Sequence, residues 1–354
     1  MKKRKKNTMN KNIVHVKKIS DNPAIVVIAF DRINSLRRVL KSIENAHYPN
    51  LDIPLIISID YNGSKKNKEV IEYAKKYVWE NGHKEVRIFK ENQGLKQHFL
   101  KCGDYSEIYG SAIILEDDVI VSDSFYSYTM QAVNYYAENK KVLAISLYGQ
   151  LWDGYATKPF EPMAIDSDVY ASQIECSWGE CYIGSAWKEF RRWQAINDGK
   201  LKKRNDVPET IYTWNHSYSK YVINYIVEMD KWFITPYRSL SSNFSDVGTH
   251  VLTSNSAYQV PMVWSKRNFS FKPFDDLKKY DIFFQPIDLE EHFEKILGEP
   301  TVSDLFGIRN NYEEYRYCIS SAILPYKRVL NFGLELRPWE LNCYQDIQGN
   351  DFFV

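Results

Sequence analysis

Five short apolar runs alternate with helical patterns in the first part of the chain, and this alternation limits the folds that the chain can adopt. The runs are rich in β-branched residues and occupy 24–30, 54–59, 86–89, 111–115 and 142–146. Continuous apolar runs of this length are typical of strands that are buried on both faces. The alternation therefore predicts an α/β fold, in which helices cover both faces of a mostly parallel central sheet.

The spacing of apolar residues between these runs predicts the connecting helices. Apolar residues recur at helical intervals over 36–43, and Asn34 is the expected N-cap of that helix. Further helices are expected through 70–77, over 95–102 and over 124–138. No G-x-G-x-x-G loop follows the first run and no P-loop motif occurs in the sequence. Dinucleotide-binding and P-loop interpretations therefore lack their best support.

Composition divides the chain into four parts. Residues 1–20 form a basic tail that is expected to be disordered, and residues 21–150 hold the alternating pattern. Tryptophan and tyrosine crowd the first half of 151–270, which is expected to pack on the sheet and shape a pocket. Residues 271–354 form the fourth part, in which 312–334 is expected to be one or two helices.

Charge and cysteine usage exclude several classes of protein. The net charge is +1, which does not indicate a nucleic-acid partner. The five cysteines are odd in number and lack a C-x-x-C pair, so a disulfide framework or zinc site is not expected and a reducing cytoplasm is the expected location. The basic run Met1–Lys6 lacks the apolar core of a signal peptide. It is expected to be solvated, with peripheral contact with anionic lipid at the inner face of the membrane as the alternative.

Three consecutive carboxylates, Glu116, Asp117 and Asp118, follow the fourth apolar run directly. Adjacent carboxylates repel one another, and a fold tolerates them best around a cation. Ligands bind at the carboxyl ends of strands in open α/β sheets. The triplet therefore predicts a site for Mn²⁺ or Mg²⁺ and a phosphorylated ligand. The alternative is a solvated turn before a helix, since acids favour helix N-termini.

Polar residues also follow the first two runs, at Asp31, Arg32 and Asp60. The ends of these strands can line the same crevice as the acidic triplet. Carboxylates accept hydrogen bonds from a base and a ribose, and a diphosphate requires a divalent metal and an arginine. The set of residues therefore favours a nucleoside diphosphate as the ligand.

The chain resembles glycosyltransferases of the GT-A fold, in particular the metal-dependent N-acetylglucosaminyltransferase I type and bacterial polysaccharide glycosyltransferases. The likeness spans about 24 to 250. It is carried by Ala29-Phe30-Asp31-Arg32 with Arg37-Arg38, by Ile59-Asp60, by Leu115 to Val119 with Ser124-Phe125-Tyr126, by Ser177-Trp178-Gly179 and by Gly248-Thr249-His250.

The resemblance implies a role for each of these positions. Asp118 is expected to bind the metal directly, while Glu116 and Asp117 hold the ribose or metal-bound water. Asp60 is expected to meet the base, or else to cap the following turn. The segment Ala29-Phe30-Asp31-Arg32 is expected to contact the base or phosphate region. His250 is expected to ligate the metal or to lie near the diphosphate.

The catalytic base of the related enzymes has no clear counterpart. Those enzymes place an acid beside a tryptophan, whereas this chain has Trp214-Asn215-His216, and an amide cannot take a proton at neutral pH. The candidates are Glu180, His216 and Asp246, and Glu180 is preferred because it lies in the tryptophan-rich segment. A structural role for Glu180, or a retaining reaction without such a base, are the alternatives.

The resemblance implies a transferase that moves a sugar from a nucleotide-sugar donor, expected to be a UDP-sugar, to a glycan or lipid-linked acceptor, with inversion as the expected outcome. Residues 21–150 would then bind the nucleotide sugar, and 151–270 would bind the acceptor. Two alternatives remain, a sugar-1-phosphate nucleotidyltransferase and a non-catalytic glycan-binding relative. The first needs a glycine-rich loop that the segment Phe30 to Ile33 does not provide.

Overall fold

The computed structural model describes residues 22–50, 52–247, 256, 258–310 and 312–354. Its strands are β1 Ala24–Ala29, β2 Leu55–Ile59, β3 Lys84–Ile88, β4 Ser111–Glu116, β5 Val119–Val121, β6 Val142–Ser146, β7 Trp152–Asp153, β8 Lys158–Pro159, β9 Val169–Ser172, β10 Glu180–Ile183, β11 Trp232–Pro236, β12 Ser241–Asn243, β13 Lys279–Tyr280, β14 Thr301–Asp304, β15 Tyr317–Ser320, β16 Asn331–Phe332 and β17 Phe352–Phe353.

The helices lie between these strands and at the end of the chain. They are α1 Ile33–Glu44, α2 Lys65–Lys76, α3 Gly94–Gly103, α4 Tyr105–Tyr109, α5 Phe125–Tyr136, α6 Gly184–Asn197, α7 Ser219–Glu228, α8 Ile287–Leu297 and α9 Glu340–Tyr344, with short 3-10 turns at Glu209–Thr213 and Phe274–Asp276. In the part of the chain that the structure describes, no helix has the length and apolar character that crossing a membrane requires.

A nine-stranded sheet forms the centre of the molecule, with the strand order β13-β9-β11-β6-β10-β4-β1-β2-β3. The strands β3, β2, β1 and β4 run parallel to one another. The strand β10 lies antiparallel between β4 and β6, and β9 lies antiparallel to β11. The predicted α/β class with a mostly parallel sheet is therefore confirmed. All five predicted strands are present, and four of them are buried, whereas β3 is a half-buried edge strand.

The register of the sheet brings three strand ends to one edge. Ile28 of β1 lies opposite Glu116 of β4, and Ala29 lies opposite Ile59 of β2. The residues that follow these strands therefore meet at one crevice, as the sequence predicted. The helix after β1 begins at Ile33 with Arg32 at its N-cap position, so the predicted N-cap at Asn34 is wrong.

A two-stranded ribbon fixes the turn that follows β4. The strand β5 pairs antiparallel with β12, with Val119 opposite Asn243. The backbone N–H of Phe244 donates to the carbonyl of Asp118 at 2.8 Å. The acidic turn is therefore attached to the segment 244–247 on the other side of the crevice.

The C-terminal region forms a smaller unit at the opposite edge of the sheet. It contains α8, α9 and a four-stranded sheet in the order β14-β15-β17-β16, with its own apolar core. The hydroxyl of Tyr280 donates to Glu340 at 2.6 Å, and Arg309 forms an ion pair with Asp281. Both contacts join the unit to the end of β13.

The expectation of one or two helices over 312–334 is wrong for the described part of that segment. It contains the strands β15 and β16 instead. The residues Tyr317 to Ser320 pair with β14 along their whole length, and aromatic and β-branched residues favour such pairing. Tertiary pairing therefore overrides the weak helical spacing of this segment.

Close packing of α3 on α6 requires a glycine at position 103. A Cβ atom on Gly103 would lie 2.1 Å from the indole of Trp187. We predict that Gly103→Ala lowers the free energy of unfolding by about 1–3 kcal/mol, because the ring has to move. Urea denaturation measures the change. Gly154→Ala is the control, since its Cβ would have nothing nearer than 3.7 Å. Equal stability of the two variants would show that α6 can shift freely.

Candidate functional site

An arginine holds the acidic triplet at the crevice. The guanidinium of Arg32 pairs with both oxygens of Asp117, and its Nη1 lies 3.3 Å from Oδ2 of Asp118. Asp117 and Asp118 are buried, and Arg32 is half-buried. The end of β1 is therefore joined to the end of β4 by a charged pair that is partly shielded from water, where electrostatic interactions are stronger than at the surface.

One oxygen of the triplet is left without a partner. Asp118 is 7% exposed, and its Oδ1 is buried with no hydrogen-bond partner among the described residues. Buried polar atoms are nearly always paired, because an unpaired one loses its hydration without compensation. Carboxylate oxygen is also the ligand that Mg²⁺ and similar hard cations prefer. Asp118 therefore has the free acceptor that a metal ligand needs.

Burial and mutual repulsion change the protonation of the neighbouring acids. Burial, together with the charges of Asp118 and Asp117, raises the pKa of Glu116 to about 8. Burial also raises the pKa of Asp117 to about 6, although Arg32 acts in the opposite direction. Burial opposes the charge of Arg32, but attraction to the two aspartates outweighs it and raises its pKa. Arg32 therefore balances only part of the negative charge of the triplet, and a divalent cation would balance more of it.

No group of three or more histidine, cysteine or acidic side chains within the described residues is arranged to hold a metal by itself. This finding agrees with the usual binding of Mg²⁺, which takes one or two carboxylates and completes its shell with phosphate oxygens and water. The predicted ligand His250 lies outside the described residues. The donor set of the chain thus fits a metal that is bound together with a diphosphate.

Asp60 is buried at the end of β2 and binds the backbone. Its Oδ1 accepts from the N–H groups of Tyr61 and Gln93, both at 2.8 Å, and its Oδ2 accepts from Gly94 at 3.1 Å. The carboxylate therefore fixes the start of α3. A carboxylate has about four acceptor positions, so one position on Oδ2 remains for a ligand. The predicted contact with the base is compatible with this geometry and stays a prediction.

The segment Ala29 to Asp31, at the end of β1, lies beside Asp60 and the loop that follows it. The carbonyl of Ala29 accepts from the N–H of Asp60 at 3.0 Å, and the carbonyl of Phe30 accepts from the side chain of Asn67 at 2.7 Å. The carboxylate of Asp31 accepts from Asn62 at 3.1 Å. These contacts set the loops that border the crevice, and the predicted ligand contacts of the segment stay predictions.

Asp246 lies on the same side of the crevice as α1. Its Oδ2 accepts from the hydroxyl of Ser35 at 2.7 Å and pairs with Arg38, while its backbone carbonyl accepts from Arg32 at 3.4 Å. These contacts attach the segment 244–247 to α1, and the predicted catalytic role of Asp246 stays a prediction.

Glu180 is buried in the middle of the sheet, opposite Ile114 and Ser146. Its Oε1 accepts from the N–H of Cys176 at 3.0 Å, and its Oε2 accepts from the hydroxyl of Tyr182 at 2.6 Å. Burial raises its pKa well above the ordinary value, and repulsion by Glu175 adds to the effect. Each oxygen of Glu180 thus accepts one hydrogen bond from the protein, and its predicted catalytic role stays a prediction.

Sequence reasoning missed Glu175, which lies in the loop between β9 and β10. Its Oε1 is buried and has no hydrogen-bond partner among the described residues, while the residue as a whole is half-buried. Burial raises its pKa to about 7, and a hydrogen bond with Ser219 opposes the shift. Its charge also acts on Glu116. Glu175 lies two residues before Ser177-Trp178-Gly179 and Glu180 directly after it, and this proximity was the signal that could have found Glu175.

His216 and Asn215 are exposed in the loop before α7. The predicted catalytic role of His216 stays a prediction. The neighbouring Tyr218, in contrast, is buried, and burial raises its pKa most, with the charges of Glu175, Glu116 and Glu180 adding to the effect. Tyr218 therefore interacts with one acid of the triplet and with both glutamates of the segment 175–180.

The sequence of the chain matches a known protein family. A model of the GNT-I family matches residues 1–196, which is more than half of the chain. The chain belongs to the GNT-I family. The resemblance to glycosyltransferases of the GT-A fold that the sequence predicted is thereby confirmed. A search of curated proteins finds no match.

Solved structures that resemble the chain include three glycosyltransferases of low identity. The mannosyltransferase PcManGT from Pyrobaculum calidifontis in complex with GDP-Man and Mn²⁺ has 13% identity and a TM-score of 0.36, and the match covers 61% of this chain and 55% of that one. S. aureus TarS has 11% identity and a TM-score of 0.35, with 48% and 29% covered. GalNAc-T7 with UDP, GalNAc and Mn²⁺ has 13% identity and a TM-score of 0.42, with 62% and 43% covered. The chain thus spans 29% to 55% of the length of these structures.

The contacts of Asp60 generate a prediction about stability. Asp60→Ala leaves the N–H groups of Gln93 and Gly94 without their acceptor, so the free energy of unfolding should fall by about 1–3 kcal/mol. Urea denaturation measures the fall. Asp31→Ala removes one exposed contact and should change stability by less than about 0.5 kcal/mol. If both variants are equally stable, Asp60 does not fix the start of α3.

Proposed function

We propose that the chain is a metal-dependent glycosyltransferase that moves a sugar from a nucleoside diphosphate sugar, with UDP as the expected nucleotide, to a glycan or lipid-linked acceptor. The observation that carries the proposal is the unpartnered Oδ1 of Asp118, buried where β1 and β4 end and beside Arg32. Membership of the GNT-I family supports the same class of reaction.

The donor side of the crevice would bind and orient the nucleotide sugar. Asp118 would ligate Mn²⁺ or Mg²⁺, with Glu116 and Asp117 beside it, and the metal would neutralise the diphosphate that leaves. Arg32 holds Asp117 and Asp118 in a fixed position, so little reorganisation is needed when the donor binds. Asp60 and the segment Ala29 to Arg32 would border the base and ribose.

On the acceptor side, we place the general base at Glu175. The acceptor hydroxyl would give its proton to Oε1 of Glu175, its oxygen would form a bond to the anomeric carbon, and the bond from that carbon to the diphosphate would break. Attack from the side opposite the diphosphate inverts the configuration. A pKa of about 7 suits this role, because a base works best when its pKa lies near the pH of the reaction.

In our proposal, Glu180 stabilises the loop that carries Glu175. Each of its oxygens already accepts a hydrogen bond, from Cys176 and from Tyr182, and the residue is enclosed between β4 and β6. Its hydrogen bond from Cys176 fixes the residue next to Glu175. The sequence-based preference for Glu180 as base stays open to test against Glu175.

Three further parts of the prediction remain proposals. A nucleic-acid partner is not expected, in line with the net charge of +1. Contact of the tail 1–20 with anionic lipid concerns a segment outside the described residues. A cytoplasmic location is likewise a proposal. A sugar-1-phosphate nucleotidyltransferase or a non-catalytic relative would each fail to transfer sugar from the donor to a glycan.

The metal assignment predicts the behaviour of Asp118→Asn, which keeps the shape of the side chain and removes its charge. In the parent protein, UDP should raise the melting temperature more with Mn²⁺ than without it, because a ligand that binds only the native state stabilises it. In Asp118→Asn this extra rise should disappear, while the melting temperature without ligand changes little. Thermal denaturation with each combination of UDP and Mn²⁺ makes the measurement.

The control for this experiment is Asp166→Asn, an exposed aspartate outside the crevice. It should retain the whole effect of Mn²⁺ on UDP binding. An Asp118→Asn protein that keeps the Mn²⁺-dependent rise would remove Asp118 from the metal site.

The base assignment predicts opposite results for two glutamates. Glu175→Gln should reduce the rate of transfer by about 10²–10⁴-fold. UDP affinity should stay unchanged, because Glu175 lies on the acceptor side. Glu180→Gln should be mild, since glutamine keeps the shape of the side chain and the proposed base lies elsewhere. The rate of the parent protein should rise as the pH increases through about 7, where Glu175 loses its proton, and Glu175→Gln should lose this rise.

Transfer rates and product stereochemistry by NMR test this pair of variants. A severe Glu180→Gln together with a mild Glu175→Gln would return the role to Glu180. Retention of the donor's anomeric configuration would mean that the reaction needs no such base.

A further inference from the structure

The C-terminal unit contains a cavity that is separate from the crevice. Its volume is about 300 Å³, and it lies between the strand β15, the end of β17 and the loop 322–328. Ligand pockets in proteins start at about this size. The sequence singled out 312–334 only as possible helices, and none of its residues takes part in the proposed transfer.

Tyrosine rings form much of the cavity wall. The rings belong to Tyr312, Tyr315, Tyr317 and Tyr326. Tyr315 and Tyr326 are 38% and 60% exposed, so two rings are open to solvent. Tyr312 is held in place, because its hydroxyl donates to the buried Asp304 at 2.6 Å. Rings that offer an apolar face and a polar edge suit amphipathic ligands such as sugars.

The cavity wall is also positively charged. Arg316, Lys327 and Arg328 line it, against the single acid Glu313 among the described residues. None of the three cations forms an ion pair with a carboxylate in the part of the chain that the structure describes, and Arg328 lies 3.9 Å from the centre of the Phe353 ring. Unpaired cations beside aromatic rings favour a ligand that carries negative charge.

The position of the cavity relates it to the acceptor. The C-terminal unit is attached to β13, at the end of the sheet that also holds β9, whereas the donor strands β1 and β4 lie toward the other end. A ligand in the cavity therefore lies on the acceptor half of the molecule.

We infer that this cavity binds an acidic saccharide, one that carries carboxylate or phosphate groups, as a remote part of the acceptor chain. The inference rests on the proposed function in naming a saccharide rather than another polyanion and in assigning it to the acceptor chain. The cations pair with the acidic groups and the tyrosine rings pack on the sugar faces. Binding here requires neither a donor nor a metal.

Isothermal titration calorimetry of the full chain, without UDP or Mn²⁺, tests the inference. The probes are tetragalacturonate, a phosphorylated maltotetraose, neutral maltotetraose and a ten-residue oligothymidylate. We expect the two acidic saccharides to bind at least about tenfold more tightly than maltotetraose, and their affinity to fall as salt is added. The better of the two acidic probes distinguishes carboxylate from phosphate recognition.

Two variants and one control locate the binding. Lys327 and Tyr326 are both exposed. Lys327→Ala and Tyr326→Ala should each lower the affinity for the acidic saccharide by about tenfold, which is the effect expected from the loss of one charge-assisted contact or one ring contact. Lys66→Ala, an exposed lysine of α2, should leave the affinity unchanged.

Three outcomes would overturn the inference. The first is equal affinity for neutral and acidic saccharides, and the second is an unchanged affinity of both variants for the acidic saccharide. The third is a higher affinity for oligothymidylate than for the saccharides, which would indicate a nucleic-acid groove. Because the assay contains no donor, a loss of saccharide binding here is distinguishable from failure of the proposed transferase, which the UDP experiments test.

Discussion

The pairing of Arg32 with Asp117 and Asp118 is the interaction on which the crevice depends. It joins the ends of two parallel strands, β1 and β4, and it lies where burial strengthens charge interactions. Without the guanidinium, three adjacent acids would repel one another in a partly buried turn. With it, Asp118 keeps one oxygen unpaired and fixed in position. The same arginine also donates to the carbonyl of Asp246, so the acidic triplet and the segment 244–247 both contact one charged group.

Much of the crevice at the ends of β1, β2 and β4 could be predicted because it follows from local sequence. A run such as Val142 to Ser146 is long and apolar enough to define a strand, and parallel strands bring the residues after them to one edge. The environment of the segment between β9 and β10 could not be predicted in this way. Glu175 and Glu180 lie five residues apart in similar surroundings, and only the pairing of β10 with β4 and β6 shows that Glu180 is enclosed while Glu175 is half-buried.

The C-terminal unit shows a second limit of sequence reasoning. The spacing in 312–334 is compatible with a helix, but β14 provides a partner strand for Tyr317 to Ser320, and no local pattern reveals that partner. This pairing places exposed tyrosines and cations around one cavity. The chain therefore combines a crevice at one edge of the nine-stranded sheet with a basic aromatic cavity in the separate four-stranded sheet of the C-terminal unit.

The central claim is that Asp118 and the diphosphate of the donor complete a single metal site. Anomalous scattering from a crystal grown with UDP and Mn²⁺ tests it most directly. The account predicts one Mn²⁺ peak at coordination distance, about 2.0–2.6 Å, from a carboxylate oxygen of Asp118 and from diphosphate oxygens. A Mn²⁺ ion bound elsewhere, or UDP bound in the crevice with Asp118 paired only to Arg32, would contradict the account.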